Sequence, residues 1–270
     1  MAIGKAEKAA FNDEIKDIKK DVDAINKQIK ELMVKKKKMP NIEAYFNVEI
    51  AVFLMQLIRK YIKMNDVSLD MLGIKSDTNL NNARKEFYKV LQMMEETVGS
   101  DIDRGLKEND DYLIKIDKLN PQQILNIVKK INELFYEIRN KVGENSKWKW
   151  SFVELQARVA IIIKNITSYS DIGKYRDPRT EFYYERRDIM EMGKECLTEA
   201  AKQYRTKYEV AGKAREDLKR SIDLLSALRK IHVIFGEDEE ATKLKNTIDA
   251  NKQALKSEDN SAEEKKKNKK

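Results

Sequence analysis

Residues 11–32 read FNDEIKDIKKDVDAINKQIKEL, and the apolar positions in this stretch decide the fold. Phe11, Ile15, Ile18, Val22, Ile25, Ile29 and Leu32 follow one another at steps of 4, 3, 4, 3, 4 and 3. A period of about 3.5 keeps one stripe of an α-helix turned toward a partner helix. Ile15, Val22 and Ile29 take the a positions of the heptad; Phe11, Ile18, Ile25 and Leu32 take the d positions. A β-branched a layer is compatible with dimers, and isoleucine at d shifts the preference toward higher order. The seven residues form a candidate coiled-coil interface. Their partner is a helix of this chain or of another.

The same reading extends along the rest of the chain. Lys35 to Lys38 and then Met39-Pro40 stop the first helix, because cations suit the negative end of a helix dipole and the residue before proline disfavours helix. Asn41 can cap a second helix to about Asn65, apolar nearly all round and therefore expected at the centre of a bundle. Asp66 to Leu72 reads as a separate short turn of helix ended by Gly73. A third helix is expected over Thr78–Val98, and a polar, broken one from Ser100 to Leu119. Asn120-Pro121 then gives a cap followed by proline at the first helical position. Ser146 opens a helix toward Gly173, and Asp177-Pro178 repeats the cap-plus-proline signature. Beyond it no proline or turn cluster occurs before Phe235-Gly236, so residues 178–235 predict a single helix of about 87 Å at 1.5 Å per residue, unless Gly193 or Gly212 breaks or bends it. Tyr204, Tyr208, Ala211, Leu218, Ile222 and Leu225 would give it a face for a partner helix, with the N-terminal seam as a natural occupant.

These elements predict an all-α fold: an elongated multi-helix bundle with a coiled-coil-like N-terminal helix and a long C-terminal helix. The expected divisions are a heptad helix over 1–40, a bundle core over 41–173, and a long amphipathic helix plus a closing helix over 174–256. A disordered Lys/Glu-rich tail follows over 257–270.

Composition narrows the function. Charged residues make up 37% of the chain, hydrophobic residues 41%, and prolines number only three, as in a helical chain that still buries a core. The net charge of +8 suits an acidic partner, but it comes from 41 lysines against 13 arginines. Lysine is the hydrated cation, and here it alternates with Asp and Glu as on solvated helix faces. The most apolar stretch, Ile42 to Ile58, contains Glu43, Asn47, Glu49 and Gln56. A bilayer span needs about 20 mostly apolar residues, so no membrane span is expected. The N-terminus has no signal-peptide pattern, and a cytoplasmic location is expected.

Catalytic and metal chemistry find little to build on. One cysteine, Cys196, and one histidine, His232, exclude an intramolecular disulfide, Cys/His zinc sites and paired Glu-x-x-His di-iron sites. On one continuous helix those two residues would lie about 54 Å apart, too far for a nucleophile and its base. Asp101-Ile102-Asp103-Arg104-Gly105 lacks the ligand spacing of a calcium loop. No phosphate-binding glycine loop occurs. No cofactor, no metal and no enzymatic activity are expected.

One segment stands apart. Residues 169–187 hold four of the thirteen arginines within twelve positions, interleaved with tyrosine. Tyr175, Arg176, Arg179, Tyr183, Tyr184, Arg186 and Arg187 are candidate partner-binding residues, since arginine forks onto phosphates and tyrosine stacks, and both are enriched at protein interfaces. Trp148 or Trp150 could extend the patch. The first expectation is a non-catalytic scaffold acting through coiled-coil self-association or contacts with another protein. The alternative is a binding module for an anionic partner, nucleic acid or an acidic surface, through residues 169–187 and the Lys-rich tail. A protein partner, a second copy of the chain included, ranks ahead of nucleic acid.

Overall fold

We describe the chain from a computed structural model, which covers residues 5–267 except 144 and 171, with side chains described over 9–257. Among these the helices are α1 (Lys5–Lys38), α2 (Glu43–Leu72), α3 (Asp77–Val98), α4 (Leu106–Leu113), α5 (Pro121–Val142), α6 (Lys149–Asn165), α7 (Tyr183–Val210), α8 (Arg215–Phe235) and α9 (Asp238–Lys267). No strand occurs among the described residues, and the fold is all-α.

The heptad stripe finds its partner inside the chain. Ile15, Ile18, Val22 and Ile25 are buried in one cluster with Leu57 and Met64 of α2, and Phe11, Ile29, Phe53, Tyr61 and Val67 pack against it. Leu32 is buried as well. Lys60 pairs with Asp21 at 2.7 Å and Lys63 with Glu14 at 3.5 Å, so the two helices run antiparallel. Exposed pairs of this kind add little energy, but they mark the register.

Helix α2 is buried on most sides, as an apolar circumference requires. It meets the length and composition of a membrane span, and it lies in a protein core between α1 and α3. It also runs straight through Asp66–Leu72, expected as a separate turn, and stops at Gly73, whose φ of 66° suits glycine. The Ser76 hydroxyl caps α3, and Asn120 with Gln123 forms a full capping box on α5. Phe87 and Phe152 both pack against Phe135, with ring centroids 6.2 and 6.3 Å away.

The expected helix over 178–235 is instead a hairpin. It breaks at Ala211–Ala214, where Gly212 has φ of 92° and Lys213 φ of 54°. Ser221 donates to the Ala201 carbonyl at 2.9 Å and Lys207 pairs with Asp217 at 2.6 Å, so α7 and α8 are antiparallel. The stripe of Tyr204, Tyr208, Leu218 and Ile222 is thereby buried between helices of one unit, with no need of the N-terminal seam. Two other start signals also fail. At Ser100 the chain enters a loop in which the Asp101 carboxylate accepts the Asp103 N–H at 2.8 Å, and α4 begins only at Leu106 and runs through Asn109, the expected break. At Asp177-Pro178 the Asp177 side chain accepts the Arg179 N–H at 3.0 Å, a local turn that competes with capping, and α7 starts at Tyr183. Helix α6 likewise ends at Asn165, short of Gly173. The tail expected to be disordered continues α9 as far as Lys267, in keeping with the intrinsic helix preference of Ala, Glu and Lys. Residues 1–4 of the expected heptad helix and 268–270 of the tail lie outside the described ones.

The chain forms two compact units that do not follow the expected divisions at 40 and 173. The N-terminal unit takes residues 1–100 and 110–155, and the C-terminal unit takes 101–109 and 156–270. The first helix belongs to the N-terminal core, because its seam is closed by α2. The short segment 101–109 joins the C-terminal unit because its polar groups are bonded there.

Candidate functional site

The Arg/Tyr segment is largely used in holding its own unit together. Tyr175 is buried, with its ring edge-on to Phe235 at 5.7 Å. Arg176 donates to the Ile234 carbonyl at 3.1 Å. Arg179 forks onto its neighbour Asp177 at 2.9 and 3.0 Å, and that carboxylate is held below its ordinary pKa by the guanidinium. Arg186 is buried and donates to the Glu181 carbonyl. Tyr183 and Tyr184 meet edge to face at 5.2 Å, and hydrogen bonding to Tyr183 raises the pKa of Arg187. Arg179, Tyr184 and Arg187 remain at the surface. The two tryptophans carry cations on their faces: Arg84 lies 5.5 Å from the Trp148 ring and Lys149 5.1 Å from that of Trp150.

A different set of cations converges within the C-terminal unit. The last turn of α6 carries Lys164, buried to 3% exposure. Its ammonium donates to the carbonyls of Ile102 and Arg104 at 2.6 and 2.7 Å, so the 101–105 loop serves as a ring of carbonyl dipoles around a cation. The Arg104 guanidinium donates to the Asn109 side-chain oxygen at 3.0 Å. Asn109 in turn donates to the carbonyls of Lys164 and Thr167, at 3.2 and 2.9 Å, and so satisfies carbonyls left over at the end of α6. From α8, Lys230 reaches the Asp103 carbonyl at 3.1 Å.

Arg104, Lys164 and Lys230 of this cluster line a cavity of about 310 Å³. Its polar side is made by Arg104, Lys164, Arg229 and Lys230, and none of its lining residues is acidic. Its apolar side is Leu106, Ala227, Ile231, Val233 and Ile234. Helical spacing explains most of the α8 contribution: Ala227, Lys230, Ile231 and Ile234 share one stripe, and Arg229 and Val233, which lie off that stripe, also line the cavity. Arg229 Nε is buried with no hydrogen-bond partner. Burial first, and then the charges of Arg104 and Lys230, push the Lys164 pKa down to about 8, while Asp101 and Asp103 pull it back up. The lysine is met by carbonyls rather than by a carboxylate in contact, so its charge is solvated but not cancelled.

Sequence reasoning missed this site. Arg104, Lys164 and Arg229 are far apart in the chain, and each alone looks like a solvated or capping cation. The only local signal is the pair Arg229-Lys230 within a helix. The loop 101–105, which lacks the spacing of a calcium site, supplies the carbonyls instead.

The separation of Cys196 from His232 also needs a new basis, because the hairpin removes the continuous helix between them. His232 Nδ1 contacts the Glu237 carboxylate, which also takes Lys194 at 2.7 Å. Burial works against that carboxylate, but hydrogen bonds from Lys194 and His232 outweigh it and lower its pKa. Cys196 is buried, and desolvation, with Glu195 nearby, pushes its thiol up to about 12. Such a thiol is inert at neutral pH.

The chain belongs to the TP0443 family, whose pattern matches residues 7–259 and so spans both units. No curated protein matches it.

Proposed function

We propose that this member of the TP0443 family is a non-catalytic binding protein whose C-terminal unit takes up an anionic ligand at the α6–α8 cavity. One observation carries the reading: four cationic side chains line a single cavity of about 310 Å³ with no acidic residue among them. Like charges gathered in one lining are unfavourable when the site is empty, the carboxylates of Asp101 and Asp103 offset them only in part, and an anion relieves them further. The orphaned Arg229 Nε supports the same reading, since a buried donor without a partner costs about 1–3 kcal/mol. The inert Cys196 thiol, and the contact that ties His232 to Glu237, favour binding over catalysis. This keeps the anionic-partner alternative of the sequence and moves it from residues 169–187 to the cavity. The scaffold reading has less support, because the heptad seam already packs on α2.

Thermal unfolding of the full chain tests the proposal, with phosphate, sulfate and octanoate compared against chloride at equal ionic strength. At least one of the three should raise the melting temperature, and the Arg229→Gln/Lys230→Gln variant should lose the increment. If none of them exceeds chloride, the proposal fails.

A further inference from the structure

The composition of the cavity wall goes beyond charge. Resting on the anion-binding reading above, we infer that the ligand is amphipathic: a short acyl or alkyl chain ending in one anionic group, with the head on the α6–α8 cations and the tail on the apolar wall. Leu106, Ala227 and Ile231 are 3%, 4% and 2% exposed, so the inner wall on that side is buried hydrocarbon. Val233, at 50% exposure, gives the rim an apolar surface open to solvent, where a tail can leave. A hydrated inorganic anion would leave this wall unused, and an apolar cavity left unfilled forgoes packing on every side.

Size limits the ligand. At about 30 Å³ for each water in the liquid, the cavity holds on the order of ten non-hydrogen atoms. That suits a carboxylate of medium chain length. The head has a planar donor array in Arg229, which forks onto carboxylate or phosphate, with Lys230 beside it as a mobile point charge.

Calorimetric titration of the full chain with acetate, hexanoate and octanoate tests the inference. Each buried methylene should tighten binding about threefold to fourfold, so octanoate should exceed hexanoate by on the order of tenfold. Arg229→Gln/Lys230→Gln should remove octanoate binding, with the circular dichroism of the variant showing intact helices. Octyl phosphate run beside octanoate tells the preferred head, and tight binding of either supports the inference. If the three carboxylates bind equally and the variant loses all three, the cavity reads only the head; the inference is overturned and the anion-binding reading stands. If octanol binds as tightly as octanoate and the variant changes neither, both are overturned.

Discussion

Several lysines of the N-terminal unit face carboxylates. Lys60 lies 2.7 Å from Asp21, Lys141 2.7 Å from Asp66, and Lys36 within reach of both Glu43 and Glu96. At the cavity of the C-terminal unit the cations face carbonyls instead: Lys164 those of Ile102 and Arg104, Lys230 that of Asp103. A carboxylate cancels a charge, whereas a carbonyl only solvates it. The formal net charge of +8 therefore says little about where a positive potential stands. Placement decides that, and placement is a tertiary property. The N-terminal unit puts its apolar pattern into a closed seam, while the C-terminal unit leaves a partly open, charged hollow.

The sharpest way to break this contrast is to charge the seam. Ile18 is 3% exposed, so Ile18→Asp buries a carboxylate among hydrocarbon and should destabilise the N-terminal unit by more than about 3 kcal/mol. Both tryptophans, Trp148 and Trp150, belong to that unit, so their emission during urea unfolding follows it selectively. A loss below about 1 kcal/mol would mean that α1 is not packed on α2. Octanoate affinity, measured below the transition, should not change.

The charged hollow can be probed through Lys164. Its pKa falls from the ordinary 10.5 to about 8 on folding, so between those values the unfolded chain holds a proton that the folded chain has lost. Unfolding then takes up a proton, and raising the pH across this window stabilises the fold. The wild type should gain up to about 3 kcal/mol relative to Lys164→Met from pH 8 to 10.5, at 1.36 kcal/mol per pKa unit. A difference between the two proteins that stays flat with pH would show that the lysine is not desolvated.

A smaller effect tests the hairpin that brings Arg229 and Lys230 to the cavity. Gly212 has φ of 92° with no atom within 4 Å of the place a Cβ would take, so Gly212→Ala strains only the backbone. It should destabilise by about 1–2 kcal/mol in thermal unfolding. In an unbroken helix the same change would stabilise by about 1 kcal/mol, so the sign alone separates the two folds.

Local signals in the sequence are legible where they have no competitor. The Asn120-Pro121 start, the Gly73 stop and the Phe11–Leu32 stripe all stand in the structure as the residues suggest. Asp177-Pro178 misleads because an Asx turn to Arg179 uses the same side chain that would cap a helix. The long helix misleads because Gly212 is the only mark of a sharp reversal, and a lone glycine is tolerated in helices. The Arg/Tyr segment draws attention by its composition, yet Tyr175 and Arg186 are buried and Arg179 is tied to Asp177. Arg179 and Arg186 find their partners within five residues and Arg176 finds its own at Ile234, whereas the cations of the cavity come together from α6, α8 and the 101–109 segment.

What the sequence by itself determined is the all-α class, several helix ends and the seven seam positions, because periodicity and capping act over a few residues along one chain segment. Only the tertiary structure decided which helix closes the seam, where the long helix folds back, and that Arg104, Lys164, Arg229 and Lys230 share one hollow. Those outcomes depend on burial and on the field of groups distant in the chain, and no local pattern carries either.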